Sequence, residues 1–268
     1  MKVLITGSAG RVGQPLVEGL RELHELRGFD RVATPGLSDT RVGDIRRLDD
    51  LLEACDGMDV IIHLAGDPRP SAPWEDVLQH NIVGTYNVFE AARRRNVRRV
   101  VFASRAGLLA AYPERILRTV DLVPRPEDLY SVGKIFGEFL GQYYAASHGI
   151  EVIVVRIGNL SRGRIKPEHP HHLSPADAVR LFQRCITHPG IRFEIVFGVS
   201  DSTYELYDLQ HGRRVLDFHP GDRSDWRPPI LHRFIPSFGE RVLRTMARIL
   251  LPSGLRDKLR TYRSKKVA

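Results

Sequence analysis

The sequence predicts an α/β fold with a parallel, doubly wound sheet covered by helices on both faces. Two observations predict it. Short apolar runs rich in β-branched residues recur along the 268 residues, and stretches of helical periodicity separate them. This alternation points to βαβ units, because a strand covered on both faces reads as a continuous apolar run and its crossover helix does not. The second observation is a cluster of glycines placed directly after the first apolar run, at the first strand-to-helix turn.

The candidate strands are Lys2 to Thr6, Glu25 to Phe29, Asp59 to Leu64, Arg99 to Ala103, Glu151 to Arg156 and Arg192 to Phe197. Two helices stand out between them. Glu75 to Arg95 carries Val77, Leu78, Ile82 and Val88 at helical spacing, and Leu129 to Ala146 carries Phe136, Leu140 and Tyr143. From Leu160 to Pro175 the chain turns polar, with Gly163, Pro167 and Pro170 breaking any regular element. Ligands of open α/β sheets bind beyond the carboxyl ends of the strands, so residues 160–175, which follow such an end, are a candidate substrate loop.

The net charge of +8 is unevenly spread. From Arg227 onward stand eleven basic and two acidic residues, so that segment carries +9 and the first 226 residues carry −1. The main domain therefore has no electrostatic reason to seek nucleic acid. A boundary is expected near residue 226, where Arg227-Pro228-Pro229 interrupts the pattern, dividing a domain of residues 1–226 from a tail of residues 227–268. In the tail Val242, Leu243, Met246, Ile249 and Leu250 recur at helical spacing, with Arg241, Arg244 and Arg248 away from much of that stripe. Such a basic amphipathic helix suits either an anionic membrane surface or packing on protein. Only two cysteines are present, no apolar run is long enough to span a membrane, and Val3-Leu4-Ile5 is too short for a signal-peptide core. A reducing, cytoplasmic location is expected.

Thr6-Gly7-Ser8-Ala9-Gly10-Arg11-Val12-Gly13 is a GxxGxxG run between strand and helix, the context of a Rossmann nucleotide site. The glycines let the backbone approach a pyrophosphate, whose charge the helix N-terminus stabilises. Asp30, at the end of the second strand, is placed to accept hydrogen bonds from ribose hydroxyls. It favours NAD, while Arg11 and Arg31 leave NADP open.

With Gly43-Asp44-Ile45, His63-Leu64-Ala65-Gly66, Asn81-Ile82-Val83-Gly84 and Tyr130-Ser131-Val132-Gly133-Lys134, the chain resembles the extended short-chain dehydrogenases of the NAD-dependent epimerase/dehydratase group. Within it, Leu173-Ser174-Pro175, Asp177 and Phe197-Gly198-Val199-Ser200 resemble uronate dehydrogenases. The resemblance implies that Asp44 and Ile45 flank the adenine, that Leu64, Ala65 and Gly66 line the ribose and diphosphate, and that Ile157 sits near the nicotinamide. It also assigns Asn81 to the cofactor side, Ser71, Asn159 and His171 to a small-molecule substrate, and a homodimer to the assembly.

Tyr130 and Lys134 are four apart and share a helix face, where an ammonium favours the phenolate. In the family the tyrosine takes the proton of a substrate hydroxyl, and the lysine also holds the nicotinamide ribose. Relatives place a serine or threonine two residues past the apolar end of the Arg99 strand. Here Arg105 stands there, and Ser104 is one residue early, which along a strand means the opposite face. Arg105 either binds a substrate carboxylate or phosphate, lowering the Tyr130 pKa as well, or blocks the pocket. His169, His171 and His172 with Glu168 match no metal spacing, so no metal is expected, and His63 reads as a packed strand residue. The expected function is NAD-dependent oxidation or reduction at a secondary alcohol or ketone of a sugar-like, anionic substrate. The alternatives are a redox-neutral epimerase or dehydratase, and an NAD-binding scaffold in which Arg105 has ended turnover.

Overall fold

The structure, a computed structural model, describes residues 1–160 and 170–224. The tail of residues 227–268 and residues 161–169 of the expected substrate loop, including Gly163, Pro167, Glu168 and His169, lie outside the described residues, as does the expected boundary near 226.

Six strands are found at or within a residue or two of their expected bounds: β1 (Lys2–Thr6), β2 (Glu25–Asp30), β4 (Val60–His63), β5 (Arg99–Arg105), β6 (Glu151–Ile157) and β9 (Phe193–Gly198). The sheet gains a seventh, β3 (Thr40–Val42), and all pair in parallel in the order β3-β2-β1-β4-β5-β6-β9. This is the doubly wound topology, and its order reverses at β1, where the glycine-rich turn begins. Strand β3 escaped the apolar reading because it is a three-residue edge strand with Arg41 and Val42 exposed. Two two-residue ladders complete the strands, β7 (Asn159–Leu160) with β8 (His172–Leu173), and β10 (Asp201–Ser202) with β11 (Arg223–Ser224).

Side-chain alternation divides the core between the two faces. On one face Val3, Ile5, Val101, Ile153 and Val155 pack with α1 (Gly13–Leu20) and α6 (Pro175–Thr187), and Leu216 of α7 (Gln210–Leu216) joins them. On the other, Leu4, Phe102, Val152 and Val154 meet α2 (Leu48–Ala54), α4 (Gly84–Arg94) and α5 (Leu129–His148). The expected helix from Glu75 to Arg95 is not uniform: a single turn, α3 (Trp74–Asp76), leads into a π-helical stretch, Val77–Val83, before α4. Helix α5 starts at Asp128, whose carboxylate accepts the Ser131 N–H, and lies close on the sheet. A Cβ at Gly137 would sit 2.2 Å from the Phe102 ring, so only glycine permits that approach.

Between β9 and α6 the chain is tied by an enclosed carboxylate. Asp177 accepts from the Ser200 hydroxyl, the backbone N–H groups of Gly221 and Asp222, and Arg180. Ser174 caps α6 and donates to Asp222. The two motif stretches around Ser174 and Ser200 thus meet at one residue.

Candidate active site

A cleft of about 1440 Å³ runs along the carboxyl ends of the strands. At one end lie Gly7, Gly10, Arg11, Val12 and Gly13. Gly7 has φ +75°, and a Cβ there would fall 2.7 Å from the Ala65 nitrogen. A Cβ at Gly13 would fall 2.3 Å from the Gly7 carbonyl oxygen. Side chains here would fill a cradle of backbone, which is the shape a diphosphate needs. Asp30 is fixed at the lip by accepting the N–H groups of Ala9 at 3.0 Å and Arg31 at 2.7 Å.

Asp44, Ile45, Leu64, Ala65, Gly66 and Ile157 all line the same cleft. Arg46 clasps Asp44 and holds its carboxyl below the usual carboxylate range. Asn81 does not line the cleft, contrary to expectation. Its amide accepts the Asp67 N–H at 2.7 Å and donates to the Asp67 carbonyl at 3.0 Å, so the π-helical segment shapes the loop after β4 from behind.

Tyr130, Lys134, Arg105, Ser71, Asn159 and His171 line the same cleft, with Arg105 and Lys134 against the Tyr130 ring. Lys134 is buried, donates to the Ala103 carbonyl at 2.8 Å, and lies 5.7 Å from the Tyr130 ring centroid. Burial, then Arg105, bring Lys134 down to about 8, against the opposing charge of Glu138. The expected lowering of the Tyr130 pKa is not what the site produces. Burial raises it most, Arg105 pulls it down, and Asp128 and Asp67 push it up again, leaving a net rise.

Ser104 lines the cleft, but its hydroxyl is engaged on the α5 side. The strand stays regular, pairing Ser104 with Arg156 and Arg105 with Ile157 on β6, so Ser104 faces α5. There it donates to Glu138 at 2.5 Å, and Glu138 also takes both Nε and Nη2 of buried Arg156 at 3.0 and 2.8 Å. Arg105 lies over the Tyr130 ring at 5.1 Å and is paired with Asp128.

The β7–β8 ladder pairs Asn159 with His172 and Leu160 with Leu173, and the Asn159 N–H donates to the His171 carbonyl. His171 bonds the Tyr207 hydroxyl, which also accepts from Arg118. His172 is buried. His63 is enclosed between the Thr6 and Thr85 hydroxyls, and burial brings it to about 3, so it is neutral and structural.

The roles of three participants went unread in the sequence: Asp128, Glu138, and Ser131 within the Tyr130–Lys134 motif. Each had a local signal. Asp128 stands three before Ser131, at cap spacing, and Glu138 continues the four-residue ladder of Tyr130 and Lys134. The Asp67–Arg69–Asp76 cluster, which ties the loop after β4 to α3, had none.

Residues 3–188 match the NAD dependent epimerase/dehydratase family. An NAD-dependent glucose-6-phosphate dehydrogenase of Haloferax volcanii is 38% identical over 250 residues, covering 83% of this chain and 94% of that one. A uronate dehydrogenase of Pseudomonas syringae pv. tomato is 30% identical, with 84% and 83% covered. Among solved structures, a uronate dehydrogenase mutant from Agrobacterium tumefaciens complexed with NAD superposes with a TM-score of 0.77 at 31% identity, covering 83% of this chain and 85% of that one. Together with the glycine cradle and the Tyr130–Lys134 pair, these similarities establish that the chain belongs to the NAD-dependent epimerase/dehydratase family and is an NAD-binding oxidoreductase.

Proposed function

We propose that the chain oxidises a ring or chain hydroxyl of a sugar acid or sugar phosphate to a carbonyl, with Tyr130 as the acid/base. The observation that carries this reading is the placement of Tyr130 and Lys134 in the same cleft as the glycine cradle. Gly7, Gly10 and Gly13 would hold the NAD diphosphate, Asp30 the adenosine ribose, and Asp44 and Ile45 the adenine. Bound NAD supplies the hydride acceptor. Tyr130 takes the proton of the substrate hydroxyl, and Lys134, anchored on Ala103, supports the phenolate and the nicotinamide ribose. Ser71, Asn159 and His171 face the substrate.

An anionic sugar is supported from two directions. The similar proteins include dehydrogenases of glucose 6-phosphate and of uronates. This cleft is also lined by Arg105 and Lys134, and by Arg69, whose charge is taken up by Asp67 and Asp76. We further infer a homodimer through α5, where Val132, Phe139 and Tyr143 form an outward stripe with Tyr86 of α4 beside it, and Phe139 is 64% exposed. A cytoplasmic setting fits Cys55 and Cys185, both free and buried. No helix among the described residues is long and apolar enough to cross a membrane.

The test is NADH formation from NAD with a panel of uronic acids, aldose phosphates and neutral aldoses. Oxidation of an anionic member at lower KM than its neutral counterpart is expected. Oxidation of neutral members alone would contradict the anionic assignment.

A further inference from the structure

Arg105 stands at the strand-end position where the resemblance expects a neutral hydroxyl, and three neighbours are fitted to it. Its Nη1 donates to Asp128, at 3.0 Å to one carboxylate oxygen and 3.3 Å to the other, and to the Ser131 hydroxyl at 2.9 Å. Asp128 and Ser131 flank Tyr130 at the start of α5, so this anchorage fixes the guanidinium relative to the phenol it overlies at 5.1 Å. Gly107 completes the fit. A Cβ there would lie 2.6 Å from Nη2 and 2.8 Å from Nε, so any other residue would displace the guanidinium. Nε and Nη2 have no hydrogen-bond acceptor among the described residues, and the side chain is 25% exposed to the cleft.

Among the described residues, four charged groups stand near Tyr130: Arg105 from β5, Lys134 from α5, Asp128 from the turn before α5, and Asp67 from the loop after β4. Their contributions differ in kind. Lys134 is enclosed and sits at about 8, so its charge is lost within the alkaline range. A guanidinium keeps its charge throughout. Arg105 also pulls the phenol down by more than Asp128 or Asp67 pushes it up.

We propose that Arg105 is a permanent cation of this site, held over the Tyr130 ring and offering Nε and Nη2 to the substrate oxygen in place of the family hydroxyl. The inference rests on Tyr130 being the acid/base. In the step concerned, the substrate O–H bond breaks, its proton passes to the Tyr130 phenolate oxygen, and the electron pair stays on the substrate oxygen. Arg105 donors stabilise that charge there, as preorganised donors do at developing oxyanions. A hydroxyl can donate to the same oxygen, but it brings no charge to the phenol.

The experiment needs no substrate. Tyrosinate absorbance is titrated in the full chain, and the Tyr130→Phe titration is subtracted to leave the ionisation of Tyr130 alone. Arg105→Met should move that midpoint upward by about one pH unit. Gly107→Ala, which keeps the charge but displaces it, should move the midpoint the same way by less. An unmoved midpoint in both variants, with NADH binding retained, overturns the proposal. With an oxidised sugar in hand, Arg105→Met should lower kcat/KM by about 100-fold. Arg105→Ser should recover part of the rate, with its pH profile displaced to higher pH. Arg105→Ser outperforming the native chain near neutral pH would mean that Arg105 obstructs the site, and also overturns the proposal. Undiminished turnover in Tyr130→Phe would instead remove the acid/base reading beneath it, so the two failures are distinguishable.

Discussion

The two ends of the cleft are built in different ways. At the cofactor end the groups that matter are backbone atoms brought close by absent side chains: Gly7 against Ala65, and Gly13 against the Gly7 carbonyl. At the substrate end they are long charged side chains, each held by others. Arg105 is clasped by Asp128 and Ser131, and Ser104 by Glu138, which in turn takes Arg156. Backbone cradles are written locally in the sequence and tolerate little change. Side-chain networks are assembled from distant positions, so one substitution, such as arginine for a hydroxyl residue, can be absorbed by re-pairing its neighbours.

If the substrate end depends on such coupling, single substitutions there should cost turnover far more than they cost NAD binding. Lys134→Met removes the ammonium between Ala103 and the Tyr130 ring, and turnover should fall by roughly 100- to 1000-fold in initial-rate assays. Asp177→Ala opens the enclosed node joining α6 to the segment after β9. It should cost about 3 kcal/mol in denaturant unfolding, because several buried donors lose their acceptor together. The pH dependence sharpens the contrast further. Because Tyr130 is raised, only a small fraction is phenolate at neutral pH, so kcat/KM for oxidation should climb by up to about tenfold per pH unit. Above about pH 8 the climb should flatten as Lys134 loses its proton. The smallest effect is expected at the cofactor end. Asp30→Ala should weaken NAD by about tenfold in a binding titration, with turnover at saturating NAD preserved. A loss of saturated turnover in Asp30→Ala equal to that in Lys134→Met would erase the distinction between the two ends.

The same distinction explains what could be read from residues alone. The six long strands, the glycine turn, Asp30 and the Tyr130–Lys134 pair carry periodicities or fixed spacings, and each lines up with its expected place. The regular end of β5 also follows from alternation, which already sets Ser104 on the face opposite Arg105. The π-helical stretch was invisible because widening a helix by one residue per turn leaves an apolar pattern close to the ordinary one. That widening accompanies Asn81 turning to the Asp67 backbone instead of the cleft. The sign of the Tyr130 shift was misread for a similar reason. Nearby cations are apparent from spacing, but the desolvation that outweighs them depends on how deeply the fold encloses the phenol.

The central claim is that Tyr130 performs acid/base chemistry on a sugar hydroxyl beside bound NAD. Its most direct test is NADH formation with the best anionic sugar, measured for the native chain and Tyr130→Phe, with NAD affinity determined for both. The account predicts substrate-dependent NADH from the native chain, a loss of about 1000-fold or more in Tyr130→Phe, and matching NAD affinities. Turnover in Tyr130→Phe within a few-fold of the native chain would contradict it.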